Sequence, residues 1–166
     1  MSAAVMPRSA GFDISWVPEV TNETKVFMSI LMFIGAGSSS TAGGIRVTTF
    51  AVILLICRAA FTGHRDVTVF RRRIPRRIQM TAVSVTTACF ALVMVGAMML
   101  MFTTGCAFVD AVFEACSAFS LGGYSVGGAS AGNPASLFIL SAEMIVGRLG
   151  PLTIAYSISR PMAPEP

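Results

Sequence analysis

The sequence predicts an all-α integral membrane fold, and three observations carry that prediction. Of the 166 residues, 54% are hydrophobic and 12% charged, a balance suited to hydrocarbon surroundings. The apolar residues gather into three blocks, Val26–Phe61, Met80–Phe108 and Leu137–Ile158, each exceeding the roughly 20 residues that cross a bilayer core. The first block is broken at its centre by a run of small residues, Gly35-Ala36-Gly37-Ser38-Ser39-Ser40-Thr41-Ala42-Gly43-Gly44.

That run cannot continue as a lipid-facing helix. Each glycine lowers helix stability by about 1 kcal/mol relative to alanine, and the freed backbone and hydroxyl groups need hydrogen bonds that hydrocarbon does not offer. Non-helical backbone at membrane depth is tolerated where protein buries it or where it lines a watery path, so the pattern points to the broken helix of a transporter or channel. The alternative is a seam for close helix packing, although such seams need only one or two small residues per turn.

Charge orients the chain. Arg58, Arg65, Arg71, Arg72, Arg73, Arg76 and Arg77 cluster between the first two spans with only Asp66 opposing them, which places the basic loop 64–79 in the cytoplasm. A basic run also suits nucleic acid, but its position between two spans favours the topological reading, and nothing else in the chain suits nucleic acid. Met1–Glu23 and Gly105–Asn133 then face outward and the tail 161–166 faces inward. The outer segments carry Asp13, Glu19, Glu23, Asp110 and Glu114 against Arg8, so an acidic outer vestibule that concentrates cations is expected. The start, Met1 to Asp13, lacks the basic region and long apolar core of a secretory signal, and the chain reads as beginning part-way through a longer protein.

Between the second and third spans, Phe108–Phe119 is too short to cross a bilayer. Val109, Val112, Phe113, Cys116 and Phe119 follow near-helical spacing, as in an amphipathic half-helix, and Ser120-Leu121-Gly122-Gly123-Tyr124-Ser125-Val126-Gly127-Gly128 follows. A re-entrant helix ending in a glycine loop is the architecture of a selectivity filter, where carbonyls replace an ion's hydration shell and glycine supplies positive φ. An extracellular loop rich in turns fits the same pattern. Cys57, Cys89, Cys106 and Cys116 have neither metal-ligand nor redox spacing and read as small core residues.

Arg148 lies well inside the third span, where a charge costs a few kcal/mol and faces the bundle interior or a water-filled cavity. Five helical residues separate it from Glu143, roughly 140° around the axis, so the two make a poor same-face pair. It is expected to hydrogen-bond the carbonyls of the broken segment, with snorkelling to the inner surface as the alternative. Pro151 removes a donor for the Gly147 carbonyl and is expected to kink the helix.

In this order the motifs resemble the Trk/Ktr/HKT superfamily of potassium transporters, and most closely its bacterial ion-translocating subunits. Arg8-Ser9-Ala10-Gly11-Phe12 is similar to the third filter motif, with Ser9 in place of the usual threonine. Met32 to Gly35 and Ser40 to Phe50 resemble the gating loop of the third repeat. Phe113 to Phe119, Gly123 and Tyr124-Ser125 resemble the fourth pore helix and filter, with Ser120-Leu121-Gly122 in place of the commoner Gly-Thr-Val; Gly147 to Thr153 resembles the signature of the last span.

The resemblance implies membrane-pore-membrane repeats, here the end of the third (residues 1–63) and the whole fourth (80–160), as in a C-terminal fragment. It implies a filter at Ser9, Ala10 and Gly11 and at Gly122, Gly123 and Tyr124, with potassium held by carbonyls near Gly11 and Gly123. It implies a gate formed by Gly35, Gly37, Ser38, Ser39, Ser40, Thr41, Gly43 and Gly44, with Arg148. The expected ion is potassium, with sodium as a coupled ion, and no covalent cofactor is expected. The expected partners are the remaining pore repeats, a second copy, a cytosolic nucleotide-binding regulatory subunit and the lipid bilayer of the cytoplasmic membrane. One and a half repeats would not enclose a pore alone, so the rival expectation is a truncated or accessory protein that inserts without transporting.

Enzymatic chemistry is not expected. His64 stands alone in the basic loop, no nucleophile and base are plausibly spaced, and Gly43-Gly44-Ile45-Arg46 is not the Gly-Lys-Ser/Thr of a phosphate loop.

Overall fold

The computed structural model describes residues 20–35, 43–62, 68–69, 72–127 and 133–159; at 68–69, 72–73 and 150–159 only the backbone is described. The first apolar block is two helices. Helix α1 (Asn22–Phe33) follows an extended Thr21 and carries Glu23 in its first turn, where a negative charge complements the exposed N–H groups. Helix α2 (Val47–Phe61) follows an extended Arg46. At 12 and 15 residues they rise about 18 and 22 Å, so neither crosses a bilayer core alone.

The two ends of the interruption meet. Ile34 and Ile45 form a parallel bridge, and the Phe33 carbonyl accepts from both the Gly35 N–H (3.0 Å) and the Ile45 N–H (3.1 Å). Glycine is required here for two reasons. Gly44 has φ +88°, and a Cβ on Gly35 would run into the backbone carbonyl of Gly43.

In the basic loop, β1 (Thr68–Val69) and β2 (Arg72–Arg73) form a two-residue antiparallel ladder, a small addition to the all-α expectation. Helix α3 (Arg76–Thr104) follows Pro75 and ends at Gly105, whose left-handed φ of 65° lets its N–H cap the Met101 carbonyl at 2.9 Å. Among the described residues it is the one helix both long and apolar enough to cross a membrane. Its threonine hydroxyls need no water. Thr81, Thr86, Thr87, Thr103 and Thr104 each donate to the carbonyl four residues earlier.

Helix α4 (Phe108–Ser120) is short, and helix α5 (Pro134–Ser159) runs on through Pro151. Asn133 sets the start of α5: its Oδ1 accepts from the Ala135 N–H at 3.2 Å, Pro134 takes the first helical position, and its Nδ2 donates to the Thr103 carbonyl at the end of α3. The bundle is organised around α4, which packs on α1, α3 and α5, while α3 packs on α5 and α2. Phe119 is stacked on Phe33, and Phe33 meets Phe90 edge-on, both with centroids 6.1 Å apart.

The amphipathic expectation for α4 needs correction. From Phe113 to Ser120 every residue is buried, because three helices surround the segment and leave it no solvent face. By contrast α3 exposes Val83, Phe90, Val95, Met98 and Phe102, and α2 buries none of its residues.

The seam between α3 and α5 holds a buried acid. Glu143 is 8% exposed and lies against Gly96, where an added Cβ would overlap its carboxyl group. Among the described residues neither carboxyl oxygen has a hydrogen-bond partner. Replacing Gly96 with Ala therefore requires the Glu143 carboxyl to move, and because that is the far end of a flexible side chain the expected cost is at the low end of overpacking, about 1 kcal/mol. Thermal unfolding in detergent checks this, and in a Glu143→Ala background the same substitution should cost measurably less, since the obstruction is gone.

Candidate functional site

The loop that follows α4 is folded back along the helix and held by it. Leu121 closes the helix in the left-handed region at φ 60°, its N–H donating to the Ala118 carbonyl (3.1 Å). The Gly122 N–H donates to the Ser117 carbonyl (2.8 Å), and Gly123 takes φ +75°. The Tyr124 N–H then donates to the Ser117 hydroxyl (2.8 Å), and the Val126 N–H to Glu114 Oε1 (3.1 Å). Glu114 Oε1 also accepts from the Ser125 hydroxyl (2.8 Å).

These bonds orient the peptide planes. In a trans peptide the carbonyl of one residue points opposite to the N–H of the next. With the N–H groups of Gly122, Tyr124 and Val126 turned onto α4, the carbonyls of Leu121, Gly123 and Ser125 point away from it. Tyr124 is buried in the bundle, whereas Gly123 is exposed.

Below the loop, three segments converge on one carbonyl. A Cβ on either Gly43, at the returning end of the interruption, or Gly147, on α5, would run into the Phe119 oxygen at the end of α4. Only glycine lets the three backbones approach this closely. The C-terminal end of α4, with the partial negative charge of its last carbonyls, thus lies beside both the loop and the interruption.

Of the expected site residues, Gly122, Gly123 and Tyr124 lie in this loop, and Gly35, Gly43 and Gly44 form the joined ends of the interruption. Ser9, Ala10, Gly11, Gly37, Ser38, Ser39, Ser40 and Thr41 lie outside the described residues. Arg148 follows Gly147 on α5 and is exposed, while Glu143 on the same helix is buried. The carbonyls of 36–42, its expected partners, lie outside the described residues.

The acidic vestibule needs correction. Glu114 is 4% exposed and is turned to the loop, and Asp110 is paired with the Lys25 ammonium at 2.7 Å. Counting charges by segment missed both, because Glu114 sits on the enclosed part of α4 and Lys25 directly precedes the first apolar block. Asp13 and Glu19 lie outside the described residues. Glu114 and Ser117 are the site residues that the sequence reading overlooked; their only signal was a three-residue spacing on the short helix before a glycine loop. Among the described residues no group of three metal-ligating side chains occurs.

Two short apolar helices joined at a glycine-rich interruption, a membrane-length apolar helix, and a short buried helix ending in a glycine-containing loop are the elements expected of a helical membrane transport protein. The chain belongs to the TrkH family, described as cation transport protein, whose profile matches residues 3–163. It is 39% identical over 157 residues to the Ktr system potassium uptake protein B of Bacillus subtilis (strain 168), covering 95% of this chain and 35% of the relative. It is 33% identical over 154 residues to the protein of the same name from Vibrio alginolyticus, covering 93% of this chain and 34% of that one. To the potassium/sodium uptake protein NtpJ of Enterococcus hirae it is 27% identical over 161 residues, with 93% and 35% covered. The chain spans about a third of the length of these curated relatives. It is a membrane protein of a transport family and not an enzyme.

The convergence on Phe119 makes a direct prediction. Gly147→Ala and Gly43→Ala each drive a methyl group into a backbone carbonyl that cannot move aside as a side chain would, and each is expected to destabilise the fold by about 1–3 kcal/mol. A lowered melting temperature in detergent is the expected reading, and unchanged melting of both variants would contradict the packing described.

Proposed function

We propose that this chain forms part of the ion pathway of a potassium uptake transporter in the cytoplasmic membrane. The observation that carries this reading is the convergence of the interruption and the loop on the C-terminal end of α4 at Phe119. A cation in front of the loop would meet outward-pointing carbonyls and the negative end of a helix, the combination that replaces a hydration shell without ionised side chains.

In this reading the carbonyls of Leu121, Gly123 and Ser125 join the expected Gly122 and Tyr124 in one quarter of the filter, and Ser9, Ala10 and Gly11 belong to another. The interrupted segment from Gly35 to Gly44 obstructs the path below the filter. Arg148 acts on that segment. Residues 1–63 complete the third pore repeat and 80–160 make up the fourth, the remaining repeats supplying the rest of the pore. The basic loop 64–79 faces the cytoplasm, with the N-terminal part outside and the C-terminal tail inside. A second copy of the transporter and a cytosolic nucleotide-binding subunit complete the system, the latter docking on the cytoplasmic face. Sodium competes with potassium or is coupled to it.

Growth of an uptake-deficient bacterium at low potassium tests the reading. The chain joined to the remaining repeats is expected to restore growth, and the chain alone is not. Failure of the joined form, once membrane insertion is verified, would favour the accessory or inert membrane protein. In the joined form Arg148→Ala is expected to change potassium uptake severalfold while leaving insertion intact; unchanged uptake would remove Arg148 from the gate.

A further inference from the structure

We propose that Glu114 is the positioning residue that sets ion preference by fixing the orientation of the Ser125–Val126 peptide in the loop after α4. The inference rests on the transport reading above and deepens it. Glu114 is buried, and one of its oxygens, Oε1, receives both the Ser125 hydroxyl and the Val126 N–H. One turn further along the same helix, the Ser117 hydroxyl receives the Tyr124 N–H. Residues three apart lie on one face of a helix, so α4 presents two acceptors in register with alternate peptides of the loop.

Tyr124 and Val126 pack on the core, and the described hydrogen bonds that tie the Ser125–Val126 peptide to α4 both end on Glu114. Gly123 and Gly127 have positive φ and so flank the Tyr124–Val126 segment with residues of wide conformational freedom. Packing is also incomplete there. A cavity of about 120 Å³, lined by Glu114, Ser117, Tyr124, Ser125, Leu140 and Met144, lies beside the loop, and the Tyr124 hydroxyl has no hydrogen-bond partner among the described residues. Packing of Tyr124 and Val126 places the segment, and the bonds to Glu114 set which way the Ser125–Val126 peptide faces. Without the Oε1 acceptor, the Val126 N–H has no reason to face α4, and rotation of that peptide carries the Ser125 carbonyl away from its outward direction. Each carbonyl withdrawn from the path leaves an ion less completely dehydrated by the protein, which alters the balance between ions of different size.

The test uses the transporter assembled with its remaining repeats, purified and reconstituted in proteoliposomes, with rubidium and sodium uptake measured separately. Glu114→Gln keeps an acceptor oxygen at the same reach, and its rubidium-to-sodium ratio is expected to stay within about twofold of the parent. Glu114→Ala removes the acceptor, and its ratio is expected to fall about tenfold, equivalent to ~1.4 kcal/mol, at an unchanged amount of assembled protein. A parent that moves rubidium selectively, with Glu114→Ala retaining the same ratio, overturns the proposal and leaves Glu114 a structural residue. A parent that moves neither ion overturns the transport reading itself. If Glu114→Ala does not assemble, Glu114→Asp carries the test, since it withdraws the carboxyl by one methylene: a fallen ratio supports the proposal and an unchanged ratio overturns it.

Discussion

Buried backbone polar groups need partners within the protein, and the rest of this structure follows from how the chain meets that constraint in its two irregular segments. At the interruption the solution is local. The Phe33 carbonyl, left without a partner where α1 ends, accepts two N–H groups, one from Gly35 two residues on and one from the returning stretch of chain at Ile45. In the loop after α4 the solution comes from side chains: Glu114 and Ser117 take N–H groups that a continuing helix would have bonded to its own carbonyls. The acceptors had to be buried to reach the loop, which explains polar residues on a helix enclosed by three others.

The enclosure of α4 also explains the distribution of small residues around it. A helix end can contribute its carbonyls to a site only if neighbouring backbones come near without side chains between them. Gly43 and Gly147 meet this condition at Phe119, and Phe119 and Phe33 fill the space on the other side by stacking. The pair Lys25 and Asp110 fixes the opposite end of the same helix to the first turn of α1. Such a pair adds little net stability after desolvation, but it specifies which helices adjoin.

Much of this was legible in the sequence, for identifiable reasons. The run from Gly35 to Gly44 announced the interruption because it departs so far from what a lipid-facing helix tolerates. What stayed hidden depends on direction and on distance along the chain. The spacing of Val109, Val112, Phe113, Cys116 and Phe119 described a one-sided helix, but periodicity cannot express burial on every face. Lys25 and Asp110 are 85 residues apart, and Glu143 meets Gly96 across two helices, so neither contact leaves a local pattern. Glu114 was read as a surface charge because its segment was expected to face outward, although its own side chain turns to the loop.

The shared contact at Phe119 has a consequence for how gate and filter would work together in the proposed transporter. The returning end of the interruption and α5 rest on the same carbonyl, in places where glycine leaves no flexible side chain to absorb displacement. Protein interiors packed in this way shift between discrete arrangements instead of deforming smoothly. Withdrawal of Gly43 from Phe119 would free the α4 terminus on one side, and the peptides of Leu121 and Gly122, bonded to Ala118 and Ser117 in that last turn, would respond first. Ser125 and Val126, held a turn earlier by Glu114, would respond last. The filter in this reading has a compliant lower end beside the interruption and a fixed upper end on Glu114, so opening of the gate would perturb the lower coordination before the upper one.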